Sequence, residues 1–280
     1  MTVVDVADAI DTDTYALTDP VLVARVREDL ASAGCCVLPD FVRPDVRETL
    51  RREGAKMAPG AYYDVETVNV YNTEPDPSLP DGHPARVPME RGNAFVARDL
   101  VPPDAVIHRL YTSPAFQGFV AACFGLDAVH ELADPLSGLT LNVLTPGRSH
   151  PWHFDTNEFT VSMLTQAPQV GGVFEFCPAI RSAASENVDD VRAVVDGRGE
   201  HLVRRLTLRP GDLQLFMGRY ALHRVSTVEA GRARHSAIFA YSERAGVIGS
   251  VSRTRQLFGR VTPAHLEAMS GAVRVDQLMD

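Results

Sequence analysis

The second half of the chain is a succession of short β-rich runs separated by glycine and proline turns. From Gly138 onward the runs are LTLNVLTPG, FTVSMLTQ, GGVFEFCPAI, HLVRRLTLRPGD, LQLFMGRY, HRVSTV and HSAIFAYS. Many short strands with turn signals at this spacing are typical of an antiparallel sandwich or jelly-roll barrel rather than of repeated strand-helix-strand units. The pattern predicts a β-sheet core over residues 138–245.

A strong helix signal lies near the N-terminus, in the segment from Thr18 to Gly34. Asp19 is a candidate N-cap, Pro20 stands at the first helical position, and apolar residues follow at helical spacing. The segment therefore predicts a helix that stops at Gly34.

Residues 35–42 predict a short buried strand, and residues 43–56 predict a second helix. Residues 72–90 contain five prolines, so they predict a loop or lid.

The chain is long enough for one sizeable core, with 280 residues of which 45% are hydrophobic. We therefore expect an α+β protein that is a single catalytic domain. Its parts would be an N-terminal α/β cap and lid region (1–137), a jelly-roll core (138–245) and a C-terminal extension (246–280).

Charge and composition favour a protein that binds a small molecule, and we expect it to be cytoplasmic. The net charge is −9 and the basic residues are scattered, which argues against nucleic-acid binding. The acidic N-terminus lacks a signal-peptide pattern, and no apolar run approaches the roughly 20 residues of a membrane span.

The four cysteines form no CxxC pair, and we expect reduced, mostly buried thiols at Cys35, Cys36, Cys123 and Cys177.

The segment HPWHFDTNEF, residues 150–159, concentrates two histidines and two carboxylates between predicted strands. His153 and Asp155 stand at i and i+2, so on an extended strand both side chains project to the same face. The segment is either a metal-binding strand or a polar loop.

Completing a metal site of two histidines and one carboxylate requires a distant histidine, and His223 is the best placed. Such a site binds iron(II) on one triangular face and leaves the opposite face open. Beyond His223, Arg234 and Ser236 share one face of a predicted strand. A guanidinium pairs with a carboxylate through two hydrogen bonds, and the hydroxyl adds another donor.

This ordered set, HxD, then a distant His, then RxS, resembles the site of the iron(II)/2-oxoglutarate-dependent dioxygenases. The resemblance implies a double-stranded β-helix, which is a jelly-roll, cupin-like fold, with N-terminal helices packed on it. It also implies that His153, Asp155 and His223 bind Fe(II), and that Arg234 and Ser236 bind 2-oxoglutarate. Oxygen would then be consumed, with release of succinate and CO2.

A closer likeness covers residues 86–260, through ARDL, ADPLSGLTLNVL, HPWHFDTNEFTV, GGVFEFCPAIR and PGDLQLFMGRYALHRV. These motifs are similar to the free-amino-acid halogenases of BesD type and their lysine-hydroxylating relatives. In the halogenases of that family a glycine replaces the metal-binding carboxylate and opens a position for chloride. Asp155 fills that position here, which favours hydroxylation.

Five residues near these motifs are candidates for substrate binding. His150 would donate to a substrate carboxylate or support the iron site, unless it is a solvated turn histidine. Arg91 would clamp the carboxylate of an amino acid, unless it forms a surface salt bridge. Thr156 and Asn157 would line the mouth and Glu158 would pair with a substrate amine, although each is as readily placed facing solvent.

Asn142 is a polar residue inside an apolar strand, so it either satisfies a backbone group or contacts the cosubstrate. His235, between Arg234 and Ser236, is predicted to point to the opposite face. Three further histidines lack an acidic neighbour at ligand spacing on a predicted strand, namely His130, His201 and His265.

Three functions follow from these features. The first is hydroxylation of an unactivated C–H bond of a free amino acid or a similar small polar amine. The second keeps the same cofactors but desaturates, cyclises or oxidises a natural-product intermediate. The third is a non-catalytic, cupin-like metal-binding protein, which has no need of the Arg234 and Ser236 pair. A homodimer is compatible with the sequence, since residues 257–260 would either close over the pocket or pack against another subunit.

Overall fold

The computed structural model describes residues 6–268. The helices are α1 (Val6–Ala9), α2 (Pro20–Ala33), α3 (Pro44–Met57), α4 (Val106–Tyr111), α5 (Pro114–Phe124), α6 (Val188–Val195), α7 (Val251–Phe258) and α8 (Pro263–Glu267). The strands of the first half are β1 (Cys35–Leu38), β2 (Tyr62–Tyr63), β3 (Glu66–Val68), β4 (Met89–Arg91), β5 (Ala94–Val96), β6 (His130–Glu131) and β7 (Leu139–Leu144). The remaining strands are β8 (His150–His153), β9 (Thr160–Gln166), β10 (Val170–Gly171), β11 (Phe174–Cys177), β12 (Arg204–Leu206), β13 (Leu213–Phe216), β14 (Leu222–Val225), β15 (Val228–Ala230), β16 (Arg234–Phe239) and β17 (Tyr241–Ser242).

Two antiparallel sheets form the core. The major sheet has the strand order β1-β13-β9-β16-β7-β5-β2, and the minor sheet has the order β12-β11-β14-β8. The major sheet thus includes three strands from the N-terminal region, β1, β2 and β5, beside the strands predicted from Gly138 onward. The minor sheet carries both histidines that the sequence analysis assigned to a metal.

Strand β7 shows how the sequence LTLNVL positions the site. Leu139, Leu141 and Val143 pack with apolar side chains of the N-terminal helices in the main hydrophobic core. Thr140 and Asn142 alternate with them and therefore face the cavity on the other side of the sheet. The helices cover one face of the major sheet, and the other face is left for the site.

The N-terminal helix prediction is confirmed in detail. Helix α2 starts at Pro20, where the Asp19 side chain accepts a hydrogen bond from the Val21 amide at 2.9 Å. It ends at Gly34, whose φ of 68° is left-handed and allows the chain to turn directly into β1. The predicted strand is shorter than residues 35–42 because the chain turns after Leu38, at Asp40, whose φ is 55°.

Residues 72–90 form an irregular segment, as predicted, apart from a 3-10 turn at Pro84–Arg86 and the start of β4. Its beginning lines the cavity, and Ala85 packs with Trp152 and Phe154 against the minor sheet. Among residues 6–268, no helix is both long enough and apolar enough to cross a membrane.

Candidate active site

The predicted metal triad converges in the structure. In the antiparallel pair of β8 and β14, His153 lies directly opposite His223, and Asp155 follows β8 by two residues. One ligand atom from each of the three residues lies within 4.8 Å of the others. Asp155 Oδ1 is 3.7 Å from His153 Nε2 and 3.5 Å from His223 Nε2.

Backbone carbonyls fix the tautomer of both imidazoles. His153 Nδ1 lies 2.8 Å from the Pro151 carbonyl oxygen, and His223 Nδ1 lies 2.8 Å from the Ala221 carbonyl oxygen. Because a carbonyl only accepts, each Nδ1 carries the proton and each Nε2 presents a lone pair toward Asp155. This arrangement fits a divalent metal.

The Asp155 carboxylate is also held in place. Its Oδ2 accepts a hydrogen bond of 2.5 Å from the Thr160 hydroxyl, which leaves Oδ1 directed at the histidines. The Asp155 amide donates to the Gly218 carbonyl at 3.1 Å. A side chain at residue 218 would place its Cβ 2.1 Å from Asp155 Oδ2, so this close approach requires glycine.

Electrostatics favour the metal-binding forms of His153 and Asp155. Burial, together with the neighbouring imidazoles of His150 and His223, lowers the pKa of His153 well below its ordinary value, so its imidazole is neutral. Burial acts to raise the pKa of Asp155, but interactions with His223, His153 and Thr160 outweigh it and lower that pKa. The donor set is two imidazole nitrogens and one carboxylate oxygen, which suits iron(II) with open positions remaining.

The predicted cosubstrate residues are neighbours on the major sheet. Arg234 and Ser236 are buried on β16, and Arg234 Nη1 donates to Ser236 Oγ at 2.6 Å. Ser236 lies directly opposite Asn142 on β7. Asn142 Nδ2 donates to the Ala94 carbonyl at 3.3 Å, and its side chain also lines the cavity, so both roles considered for it are compatible with its position.

His235 points away from this cluster, as predicted. It lies on the opposite face of the sheet, close to Gly54 of α3. Because side chains alternate along β16, Arg234 and Ser236 face the cavity and His235 faces the helices.

One cavity of 2830 Å³ contains the triad and most of the predicted substrate residues. His150, Thr156, Asn157 and Glu158 all line it. Thr156 and Glu158 are also exposed, which places them toward its mouth.

His150 is closely associated with the metal site. Its ring stacks on the ring of His153, with centroids 3.8 Å apart and planes 15° apart. Its Nε2 is buried without a hydrogen-bond partner. Burial, with nearby Arg91, lowers its pKa well below the ordinary value. The interpretation of His150 as a solvated turn histidine is therefore wrong.

Arg91 is buried on β4, with 4% of its surface exposed, and is not among the residues that line the cavity. It forms an ion pair with Glu66 on the neighbouring strand β3, so Arg91 does make a salt bridge, although a largely buried one rather than one at the surface. Its Nη1 is buried without a hydrogen-bond partner. Arg91 therefore pairs with Glu66 through Nη2 and keeps its Nη1 nitrogen without a partner.

Sequence reasoning missed a buried contact that fastens the C-terminal segment to the core. His265 Nε2 lies 3.1 Å from Asp134 Oδ2, and both side chains are fully buried. Asp134 also accepts from the amide of Gly249 at 2.9 Å. The two partners are far apart in sequence and share no motif, so only the three-dimensional fold brings them together.

Comparison with known proteins supports these features. Residues 88–256, more than half of the chain, match the family model described as Halogenase D. No curated protein matches the chain.

Solved structures of low sequence identity share the fold. A 2OG-Fe(II) oxygenase family oxidoreductase from Burkholderia pseudomallei is 16% identical, covers 80% of this chain and 92% of its own, and has a TM-score of 0.50. A prolyl hydroxylase from Trichoplax adhaerens, solved with a hypoxia inducible factor peptide fragment, is 14% identical over 84% and 92%, with a TM-score of 0.53. The carbocyclase SnoK from nogalamycin biosynthesis is 13% identical over 78% and 82%, with a TM-score of 0.52. The predicted α+β fold with a jelly-roll core is confirmed.

Proposed function

Since the chain belongs to the halogenase D family of iron(II)- and 2-oxoglutarate-dependent oxygenases, we propose that it hydroxylates an unactivated C–H bond of a free amino acid or similar small polar amine. The observation that carries this proposal is Asp155, which lies with its Oδ1 between the two histidines. In the resembling halogenases a glycine at this position leaves room for chloride. The carboxylate occupies that room here, which favours hydroxylation over halogenation.

His153, Asp155 and His223 would hold the iron through two Nε2 atoms and Oδ1. Bound there, iron(II) would activate oxygen for oxidation of the substrate. The overall reaction converts 2-oxoglutarate, oxygen and the substrate C–H bond into succinate, CO2 and the hydroxylated substrate. The protein's own contribution is to orient these groups and to bury them from water.

Arg234 and Ser236 would bind the far carboxylate of 2-oxoglutarate. Both are buried, and the guanidinium donates to the hydroxyl, so the pair is already organised before the cosubstrate binds. Asn142, directly opposite Ser236, would contact the same molecule. The assignment depends on the two parallel N–H groups of the arginine guanidinium, which bind both oxygens of a carboxylate as a lysine ammonium cannot.

The substrate would lie over β8 and the segment that follows it. The unpartnered Nε2 of His150 would hydrogen-bond to the substrate, and Arg91, which interacts electrostatically with His150, would add positive potential for a substrate carboxylate. Glu158, at the exposed mouth, would pair with a substrate amine, flanked by Thr156 and Asn157. The cavity would thus offer one group for the carboxylate and one for an amine of the substrate.

A second candidate is desaturation, cyclisation or oxidation of a larger natural-product intermediate with the same cofactors. The cavity volume favours it, because 2830 Å³ exceeds the roughly 300 to 1,000 Å³ of most small-molecule sites. Family membership as an oxygenase leaves no support for the third alternative, a metal-binding protein without catalysis.

A mass-spectrometric screen separates these candidates. Purified protein with iron(II), ascorbate, 2-oxoglutarate and chloride is incubated with each free proteinogenic amino acid, and succinate and product masses are recorded. Hydroxylation adds one oxygen, desaturation removes two hydrogens, and halogenation replaces a hydrogen by chlorine. A chlorinated product would contradict the role assigned to Asp155, and no response to any amino acid would contradict the proposed substrate class.

A further inference from the structure

Four arginine side chains line the cavity, and two of them, Arg244 and Arg255, are exposed to solvent. The other two are Arg234, buried on β16, and Arg253, half-buried in the first turn of α7. Among residues 6–268, no carboxylate oxygen lies within 4.0 Å of either guanidinium. A desolvated cation without a counter-ion is costly, so each of these guanidiniums is suited to an anionic ligand.

A chain of hydrogen bonds fixes Arg253 relative to the metal site. Its guanidinium donates to the side-chain oxygen of Gln256, and the Gln256 amide reaches the Asn72 carbonyl at 3.5 Å. The Asn72 side chain in turn donates to the carbonyl of Phe154 at 3.0 Å. Phe154 lies between His153 and Asp155, so the metal-binding segment and Arg253 are linked through two intervening side chains.

The charged groups near Arg253 do not neutralise it, so its guanidinium can pair with an anionic ligand. The groups that act on it are Arg91, Asp155 and Glu66. Glu66 is already paired with Arg91, and Asp155 is directed at the two histidines. Burial and the like charge of Arg91 lower the pKa of Arg253 to about 9, and burial lowers that of Arg234 to about 10. Both remain cationic at neutral pH.

Their positions assign them different ligands. Arg234 lies beside Ser236 on the major sheet, where the far carboxylate of 2-oxoglutarate is expected. Arg253 lies on a helix of the C-terminal segment, toward the ion pair of Arg91 and Glu66. The reaction has two organic reactants, and among the arginines that line the cavity only these two are not exposed to solvent.

We propose that Arg253 binds a carboxylate of the substrate, so that helix α7 selects amino acids over amines that lack the carboxylate. This inference rests on the proposed function and extends it to a residue outside the jelly-roll core. The free N–H groups of the guanidinium form paired hydrogen bonds with the carboxylate. Helix α7 is anchored for this role by Phe258, which is buried with Ala97 and Leu136.

Thermal unfolding under nitrogen tests the assignment by binding alone. Protein with iron(II) and 2-oxoglutarate is heated with a mixture of the twenty proteinogenic amino acids, or with a mixture of cadaverine, putrescine, histamine and tyramine. The wild type is expected to gain stability from the amino acids and not from the amines. Arg253→Gln should weaken amino-acid binding by about tenfold to a hundredfold, the effect of losing charge-assisted hydrogen bonds. The amino-acid affinity of Arg253→Lys should lie between those of the wild type and Arg253→Gln.

The matched control is Arg260→Gln, which removes an exposed cation just beyond the same helix and outside the cavity lining, and it should behave as the wild type. The stabilisation by 2-oxoglutarate should be unchanged in Arg253→Gln. The assignment would be overturned if Arg253→Gln still gained stability from the amino acids or lost its response to 2-oxoglutarate. It would also be overturned if the wild type responded equally to the amines, or not at all to the amino acids. Failure of the proposed function is seen separately, as an absence of succinate when oxygen is admitted.

Discussion

His223 lies directly opposite His153 across β14 and β8, and their ring centroids are 4.1 Å apart. Each ring donates its Nδ1 proton to the carbonyl two residues before it in the chain. The two strands therefore determine both the position and the tautomer of the imidazoles. The third ligand, Asp155, is outside the strand and depends on other contacts, which gives the first prediction.

Gly218→Ala should displace Asp155 and weaken iron binding severely. The new Cβ would lie 2.1 Å from Asp155 Oδ2, so the carboxylate must move away from its position beside the histidines. Iron(II) titration and succinate formation should both be impaired, with the fold retained by circular dichroism. Gly118→Ala is the control, because open space surrounds it within α5 and alanine favours a helix by up to about 1 kcal/mol. Normal iron affinity in Gly218→Ala would contradict the geometry.

Arg234→Lys should raise the KM for 2-oxoglutarate by about tenfold or more, because an ammonium cannot make the paired hydrogen bonds of the guanidinium. The variant retains the positive charge, so the effect isolates hydrogen-bond geometry. Steady-state kinetics at saturating substrate measure it. Arg232→Lys, an exposed arginine two residues earlier, should leave the KM unchanged. An unchanged KM in Arg234→Lys would remove Arg234 from the cosubstrate site.

The four cysteines should be unreactive in the native protein. All are free and buried, and burial raises the pKa of Cys35, Cys123 and Cys177 to about 12 and raises that of Cys36. Because the thiolate is the reactive form, iodoacetamide labelling should stay negligible between pH 7 and 9 and reach four thiols per chain in denaturant. Rapid labelling of any native thiol near pH 8 would show that it is accessible.

Asp134→Asn should lower the free energy of unfolding by about 2 kcal/mol, because it replaces the acceptor of several buried hydrogen bonds. Burial acts to raise the pKa of Asp134, but donors including the amides of Leu136 and Gly249 outweigh it and lower that pKa.

The stability that Asp134 contributes is present above the unfolded pKa of about 3.9 and is lost as the pH falls through its lower folded value. Urea unfolding from pH 6 to pH 3 should therefore show a weaker acid dependence in Asp134→Asn. The exposed Asp127→Asn is the control and should match the wild type in stability. Equal unfolding of Asp134→Asn and the wild type at pH 6 would contradict this account.

Sequence patterns were informative where local geometry determines the outcome. Alternation along β16 separated His235 from Arg234 and Ser236. The i and i+2 spacing of His153 and Asp155 predicted that they meet, although Asp155 lies just beyond β8. The N-cap and glycine stop predicted α2 because both act within a few residues of the helix ends.

The remaining features depend on contacts between distant segments. Arg91 has the environment of a buried ion pair only because β3 brings Glu66 beside it. Arg253 reaches the cavity only through the placement of α7, and His265 meets Asp134 across the fold. These contacts join residues far apart in the chain, so no local pattern in the sequence points to Arg253 or His265.

The most direct test is the oxygen-dependent conversion of 2-oxoglutarate into succinate by wild type and Asp155→Ala, with iron(II), ascorbate and the amino-acid mixture. The wild type should form succinate together with a product that carries one additional oxygen atom. Asp155→Ala should form neither, since one of the three metal ligands is lost. Undiminished turnover by Asp155→Ala would show that the reaction does not depend on the His153, Asp155 and His223 site.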